Sequence, residues 1–290
     1  MKNKLNNICE ITCDTPIFNT YKLNSIAKIV ANVKTIDELK NVLNILNEEN
    51  EKYLVLGGGS NVILPKYYDG VVIKLIGFNQ MTNDNGKIYV EANYMLNKLS
   101  MELSKEGYTG LEWASGIPGS IGGSIYNNAG AYKFEIKDVL TKVTVLENDE
   151  IKELTLEEMK FAYRTSIFKE NKNMIILSCE MKLEKSNVEE IMATINERKE
   201  KRLQSQPLDM PSCGSVFRNP EGLVAGKLID DLGLKGYKIG GAKISEKHAN
   251  FIVNDGNATY EDIISLIDFI KEKIKKEYNI DLILEQEIIK

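Results

Sequence analysis

Histidine and tryptophan are almost missing from this 290-residue chain: His248 and Trp113 are the only ones. The four cysteines, Cys9, Cys13, Cys179 and Cys213, form no CxxC pair and have no partner histidines, which excludes a zinc site of ordinary composition and leaves no metal to expect. Reduced thiols in a cytoplasmic protein are their simplest state. Long apolar runs are also missing. The start, "MKNKLNNICEITCDTP", has no apolar core of signal-peptide length, and no later run reaches the roughly 18 residues of a membrane span. A soluble, cytoplasmic protein is expected. Nor is there a basic excess: 37 Lys and Arg against 42 Asp and Glu give a net charge of -5, which argues against general nucleic-acid binding. An anionic small molecule stays open, because local amides and a few cations suffice to hold one.

Glycine, by contrast, is concentrated. Residues 116 to 132 read "GIPGSIGGSIYNNAGAY", and "LGGGSNVIL" occupies 56 to 64. Such clusters mark either turns at positive φ or backbone against which a large ligand lies. Two common nucleotide motifs fail. In Gly57-Gly58-Gly59-Ser60-Asn61-Val62 the third glycine of GxGxxG falls on Val62. In "GLVAGKLID" only three residues separate Gly222 from Gly226, and Leu228 stands where a phosphate loop needs Ser or Thr. Glycine-rich backbone can still form anion-binding concavities. With Ser60, Ser115, Ser120, Ser124, Asn127 and Asn128 as small donors, the two clusters together favour a pyrophosphate cofactor lying between two lobes.

Hydrophobic periodicity predicts a helix over 36 to 49, a strand ending at the triple glycine, a hairpin-like stretch over 71 to 75 and 88 to 92, and a helix over 96 to 107 stopped by Gly107. Strands follow at 139 to 147 and 174 to 183. A polar helix over 188 to 203 and a proline-bearing connector mark a domain boundary. Beyond it come a short helix within 222 to 233, a strand at 249 to 254, a long amphipathic helix over 259 to 278 and a closing strand. With 43% hydrophobic residues the chain can fill two or three cores, so an α+β protein is expected.

Three further stretches carry chemistry. In "YRTSIF" Arg164, beside Tyr163, can hold a carboxylate or phosphate bidentately, or be a surface arginine in a turn. In "SCGSVFRNP" Gly214 permits a turn that exposes Ser215, with Arg218 and Asn219 as polar contacts; taken alone, the stretch reads more simply as a domain-entry turn. No GxSxG elbow surrounds Ser215, so a Ser-His-Asp hydrolase using His248 has little support. In "LILEQEI" Glu285 and Glu287 share one face of a strand and Gln286 the other, as edge charges or as functional groups.

Taken in order, "GGGSN", "GIPGSIGG" with "NNAGAY", "YRTSIF", "SCGSVFRNP", "KISEKHANFIVN" and "LEQEI" resemble the UDP-N-acetylenolpyruvoylglucosamine reductase (MurB) family from about residue 16 to 290. The resemblance implies an FAD-binding region of the vanillyl-alcohol-oxidase type in two lobes, residues 1–76 and 77–187, and an α/β substrate-binding domain at 195–290. It implies non-covalent FAD held by Gly57, Gly58, Gly59, Ser60, Asn61, Ser115, Gly116, Pro118, Gly119, Gly122, Gly123, Asn128, Ala129 and Gly130. NADPH would be the hydride donor and UDP-N-acetylglucosamine enolpyruvate the substrate, contacted by Tyr163, Asn219 and Lys227. Arg164 and Glu287 would stabilise the developing carbanion, with Glu285 the nearest rival, and Ser215 would protonate it. The short Arg164 to Ser215 spacing resembles the family's form without an inserted tyrosine loop, and Asn24-Ser25 departs from the usual Gly-Gly. A monomer or weak dimer is expected. The competing readings are an FAD oxidase of the same wider fold, weakened because no His or Cys lies between Asp14 and Lys172 to attach a flavin, and a nucleotide-sugar binder without catalysis.

Overall fold

The computed structural model describes residues 1–290, which divide into two compact units. One comprises Met1–Cys13, Ile29–Gly58 and Gly70–Lys199; the other comprises Asp14–Lys28, Gly59–Asp69 and Glu200–Lys290. Each has its own apolar core. Helices and strands are mixed in both, the α+β architecture expected from the sequence.

In the first unit an antiparallel five-stranded sheet runs in the order Glu150–Leu154, Leu140–Glu147, Ile175–Lys182, Lys87–Glu91, Met81–Asp84. The central strand is buried from Ile175 to Cys179, and only then alternates, with Glu180 and Lys182 exposed. That is why its sequence reads as a continuous apolar run. The Ile36–Glu48 helix begins at Thr35, whose hydroxyl accepts the Glu38 amide at 3.1 Å, and it buries Leu39, Val42 and Leu46 at helical spacing. The Leu96–Lys105 helix ends where Gly107 takes φ +82° and its amide returns to the Ser104 carbonyl.

The two strands read as a hairpin do not pair with each other. Val71 to Ile73 lie parallel to Tyr53–Val55, whereas Lys87–Glu91 sits between Met81–Asp84 and Ile175–Lys182. Strand sequence carries alternation but not the identity of the partner, and the short Met81–Asp84 strand, "MTND", has little β propensity to announce it.

In the second unit three antiparallel strands, Lys238–Ile239, Ala242–Ile244 and Ile252–Asn254, pack with the Tyr260–Tyr278 helix. That helix starts with a capping box of Thr259 and Asp262 and buries Ile263, Leu266, Ile267, Ile270 and Ile274. The Asp262 carboxylate also receives the Gly241 amide, and these backbone hydrogen bonds lower its pKa. The closing strand is short: only Glu287–Ile288 is paired, parallel to Val62–Ile63. Before it the chain makes isolated contacts, Arg218 N–H to the Ile283 carbonyl and Glu285 N–H to the Val216 carbonyl, each 2.9 Å. No helix is long and apolar enough to cross a membrane.

Candidate active site

The glycine segments of the first unit are crowded by the chain itself. A Cβ on Gly58 would lie 2.9 Å from the Gly119 Cα, and one on Gly57 would run into the Ser120 hydroxyl. The 119–120 segment cannot retreat, because the Gly119 carbonyl accepts the Leu96 amide and Ser120 bridges Met95. Immediately after it a helix that periodicity could not reveal, Ile121–Tyr126, "IGGSIY", opens with Ser120 as N-cap to the Gly123 amide at 3.3 Å. Two glycines in six residues erase its propensity signal. Gly122 is pressed on Ala92: a Cβ there would lie 3.2 Å from the Ala92 Cβ. Gly123 is different: it is exposed, and a Cβ would meet only the Ser120 Oγ at 3.5 Å.

Nearby, Asn128 is fully buried at φ +43°, a left-handed conformation asparagine tolerates. Its amide donates to Glu135 Oε2 and to the Ala162 carbonyl, both at 3.0 Å, while its Oδ1 is buried without a partner. Gly130 excludes a side chain through Glu135 Cγ, 2.9 Å away, and the Phe134 carbonyl. Arg164 stands in a two-residue turn closed by reciprocal backbone bonds between Ala162 and Thr165, and it too is left-handed, φ +56°. A left-handed arginine costs on the order of 1 kcal/mol, strain of the kind kept at working sites. Its guanidinium donates to the Gly130 carbonyl at 2.6 Å and approaches Glu135 at 3.9 Å, with the exposed Tyr163 ring alongside. The turn is clipped to the end of the Ile121–Tyr126 helix by Ser166 Oγ on the Tyr126 carbonyl and Lys169 Nζ on Asn127 Oδ1, each 2.6 Å. Sequence reading singled out Arg164 and missed these two clips.

In the second unit Gly59 takes φ +64° against the Phe18–Asn19 backbone. Ser215 follows Gly214 at φ +74° and bridges Phe251. The Asn250 side chain closes both backbone groups of Phe217, at 3.0 and 2.8 Å. Asn61 donates to the Glu285 carbonyl at 3.0 Å, and the Glu287 amide returns to the Asn61 carbonyl at 2.9 Å, so the "GGGSN" asparagine fixes the carboxylate-bearing segment. Gln286 is buried while Glu285 and Glu287 are half-buried, and residues 285–286 form a bend rather than the expected strand, with pairing only from Glu287 on. The Asn219 Oδ1 accepts the Ala225 amide at the start of the Ala225–Asp231 helix, and Lys227 pairs with Asp231 one turn on at 2.9 Å. His248 offers no base for a serine: its Nδ1 accepts the Asn250 amide, its ring lies against Phe251, and burial lowers its pKa. Burial pushes the Cys213 thiol up to about 11. No group of three His, Cys, Asp or Glu stands ready to hold a metal.

The residues of the first unit suit a dinucleotide. The Gly57 and Gly58 amides make no hydrogen bond within the protein, Gly123 leaves its exposed surface bare of a side chain, and Asn128 keeps an unused buried acceptor. This is the fold and chemistry of an FAD-binding flavoprotein, and a family model described as an FAD binding domain matches residues 27–153. A second, described as the C-terminal domain of UDP-N-acetylenolpyruvoylglucosamine reductase, matches residues 206–289. The reductase of Caldanaerobacter subterraneus subsp. tengcongensis is 44% identical over 272 residues, 93% of this chain and 90% of its own. That of Bacillus subtilis is 39% identical over 285 residues, 97% and 94%. The crystal structure of the Thermus caldophilus reductase, 33% identical, superposes with a TM-score of 0.82 over 97% of this chain and 99% of its own. A Physcomitrella patens BBE-like 1 variant, 17% identical with a TM-score of 0.50 over 63% of this chain and 44% of its own, shares the fold alone. The chain belongs to the UDP-N-acetylenolpyruvoylglucosamine reductase family and is an oxidoreductase.

Proposed function

We propose that this protein reduces UDP-N-acetylglucosamine enolpyruvate to UDP-N-acetylmuramate in peptidoglycan precursor synthesis, with NADPH as the hydride donor. Residues 1–76 and 77–187 form the two FAD-binding lobes, and 195–290 binds the nucleotide sugar. The enzyme works in the cytoplasm, as a monomer or weak dimer. FAD, held without a covalent bond, supplies hydride chemistry when bound.

The observation that carries the reading is the tethering of Arg164: a cation in a strained turn, anchored to the Gly130 carbonyl and thereby to the glycine segment that suits the cofactor. As hydride reaches the methylene carbon of the enolpyruvyl group, negative charge builds beside the substrate carboxylate. Arg164 pairs with that carboxylate, and Glu287 shares in holding the enolate-like form. Ser215 hands its proton to the carbanionic carbon; the hydroxyl is a weak acid, but needs to transfer only as the charge peaks. Tyr163, Asn219 and Lys227 grip the substrate. Gly57 to Asn61, Ser115, Gly116, Pro118, Gly119, Gly122, Gly123 and Asn128 to Gly130 line the cofactor.

The test is anaerobic. NADPH should bleach the yellow protein, and UDP-N-acetylglucosamine enolpyruvate should restore the colour at a rate matching turnover. A protein reduced by NADPH but reoxidised only by oxygen is an oxidase-like flavoprotein, and the proposal fails.

A further inference from the structure

Gln286 is a buried amide whose side chain commits both its donors to one short turn. Its Nε2 donates to the Cys213 carbonyl and to the Gly214 carbonyl, both at 3.2 Å, and its Oε1 accepts the Tyr21 hydroxyl at 2.9 Å. Successive carbonyls of an extended chain point to opposite sides, so two in a row reach one amide only if the chain turns between them. Gly214 makes that turn, at φ +74°. Space does not explain the glycine, because a Cβ there would meet nothing within 4 Å; conformation does. Ser215 is the next residue.

The backbone around Gln286 is clamped as firmly as its side chain. The Glu285 amide donates to the Val216 carbonyl, its carbonyl accepts from Asn61, and the Glu287 amide donates to the Asn61 carbonyl. One residue thus joins the segment bearing Glu287 to the turn bearing Ser215 from within a single unit. Tyr21 completes the clasp as a donor; it is wholly buried, and burial raises its pKa well above the ordinary phenol value, so the hydroxyl keeps its proton.

We infer that Gln286 is a positioning residue, an amide clasp that fixes the Ser215 hydroxyl relative to Glu287 for protonation of the substrate. The inference rests on the roles proposed above for Ser215 and Glu287. A misplacement of about 1 Å in an aligned proton transfer costs on the order of 10²-fold. The clasp should therefore matter in one half-reaction and not in the other.

Stopped-flow measurement of both half-reactions in the FAD-loaded enzyme tests this with Gln286→Leu, Tyr21→Phe and Ser215→Ala in parallel. Gln286→Leu should slow reoxidation by UDP-N-acetylglucosamine enolpyruvate about 10–100-fold, keep reduction by NADPH within about twofold of the parent, and raise the solvent deuterium isotope effect on reoxidation as proton transfer becomes limiting. Tyr21→Phe, which leaves both carbonyl contacts in place, should lose much less. If Gln286→Leu does not fold, Gly214→Ala disturbs the same turn without stranding a polar group and should give the same split. Reoxidation at the parent rate, or equal slowing of both half-reactions, overturns the inference when Ser215→Ala is itself slow in reoxidation alone. A Ser215→Ala enzyme that reoxidises normally overturns the reading of Ser215 beneath it.

Discussion

Replacing Gly123 by alanine should stabilise the cofactor-free protein while abolishing much of its affinity for FAD. Gly123 is the third residue of the Ile121–Tyr126 helix, is exposed, and would place a Cβ at ordinary contact distance, 3.5 Å, from the Ser120 Oγ and nothing else. Glycine to alanine within a helix is worth up to about 1 kcal/mol, most of it from the unfolded chain. Near the end of so short a helix the lower half of that range applies, about 0.5 kcal/mol, or about 1 °C in Tm. Gly58→Ala should do the opposite. Its Cβ would stand 2.9 Å from the Gly119 Cα, between backbone segments pinned by hydrogen bonds, and overpacking of this kind costs about 1–3 kcal/mol. FAD at 100 times its Kd should add about 2.7 kcal/mol to the parent and far less to Gly123→Ala, so the two melting curves change order when cofactor is added. Thermal unfolding with and without FAD, and titration of flavin fluorescence, measure both halves. Unaltered FAD affinity in Gly123→Ala refutes the placement of cofactor against that helix, and a lower cofactor-free Tm refutes the reading of open space.

Lys74 is half-buried with its ammonium 3.4 Å from the Gly57 carbonyl, and burial lowers its pKa to about 8. The unfolded chain therefore binds the proton more tightly between pH 8 and 10.5, and stability lost to this residue at pH 7 is recovered as pH rises through that window. Lys74→Met should stabilise the cofactor-free protein at pH 7 by up to about 3 kcal/mol, with the gain fading towards pH 10.5; urea unfolding that shows the same gain at both ends counts against a buried charge. Ser215→Ala should slow reoxidation by the enolpyruvyl substrate about 10²–10⁴-fold, and Ser215→Cys, a better acid, should recover part of it; an alanine no slower than cysteine would point to a water or Glu287 as donor. Asn219→Ala and Lys227→Ala should raise KM for the nucleotide sugar more than for NADPH, Lys227 by less because it is already paired with Asp231; equal shifts in both constants would remove the dedicated sugar site.

What the sequence makes legible follows the range of each signal. The Ile36–Glu48 and Tyr260–Tyr278 helices are readable because apolar spacing and caps are local. The pairing of Tyr67–Lys74 and Lys87–Glu91 is not, since partners are chosen by the whole sheet. The Ile121–Tyr126 helix is hidden by its own glycines, of which Gly122 permits close approach to Ala92 and Gly123 leaves an exposed surface bare of a side chain. The strand alternation expected at Glu285 to Glu287 gives way to a bend at 285–286, and the use made of Gln286 is not legible: Tyr21 and Cys213 lie 265 and 73 residues away in the chain.

The glycine clusters therefore answer two demands that composition cannot separate. At Gly57 and Gly58 the excluded side chain would strike Ser120 and Gly119, so the residues let two stretches of the same chain touch. At Gly123 and Gly214 no protein atom forbids a side chain; the first leaves an exposed helix surface bare, and the second supplies a left-handed turn just before Ser215. Substitution at the first pair acts on folding before it acts on ligand, and at the second pair on function before folding. Contact geometry around each glycine, rather than glycine density along the chain, decides which.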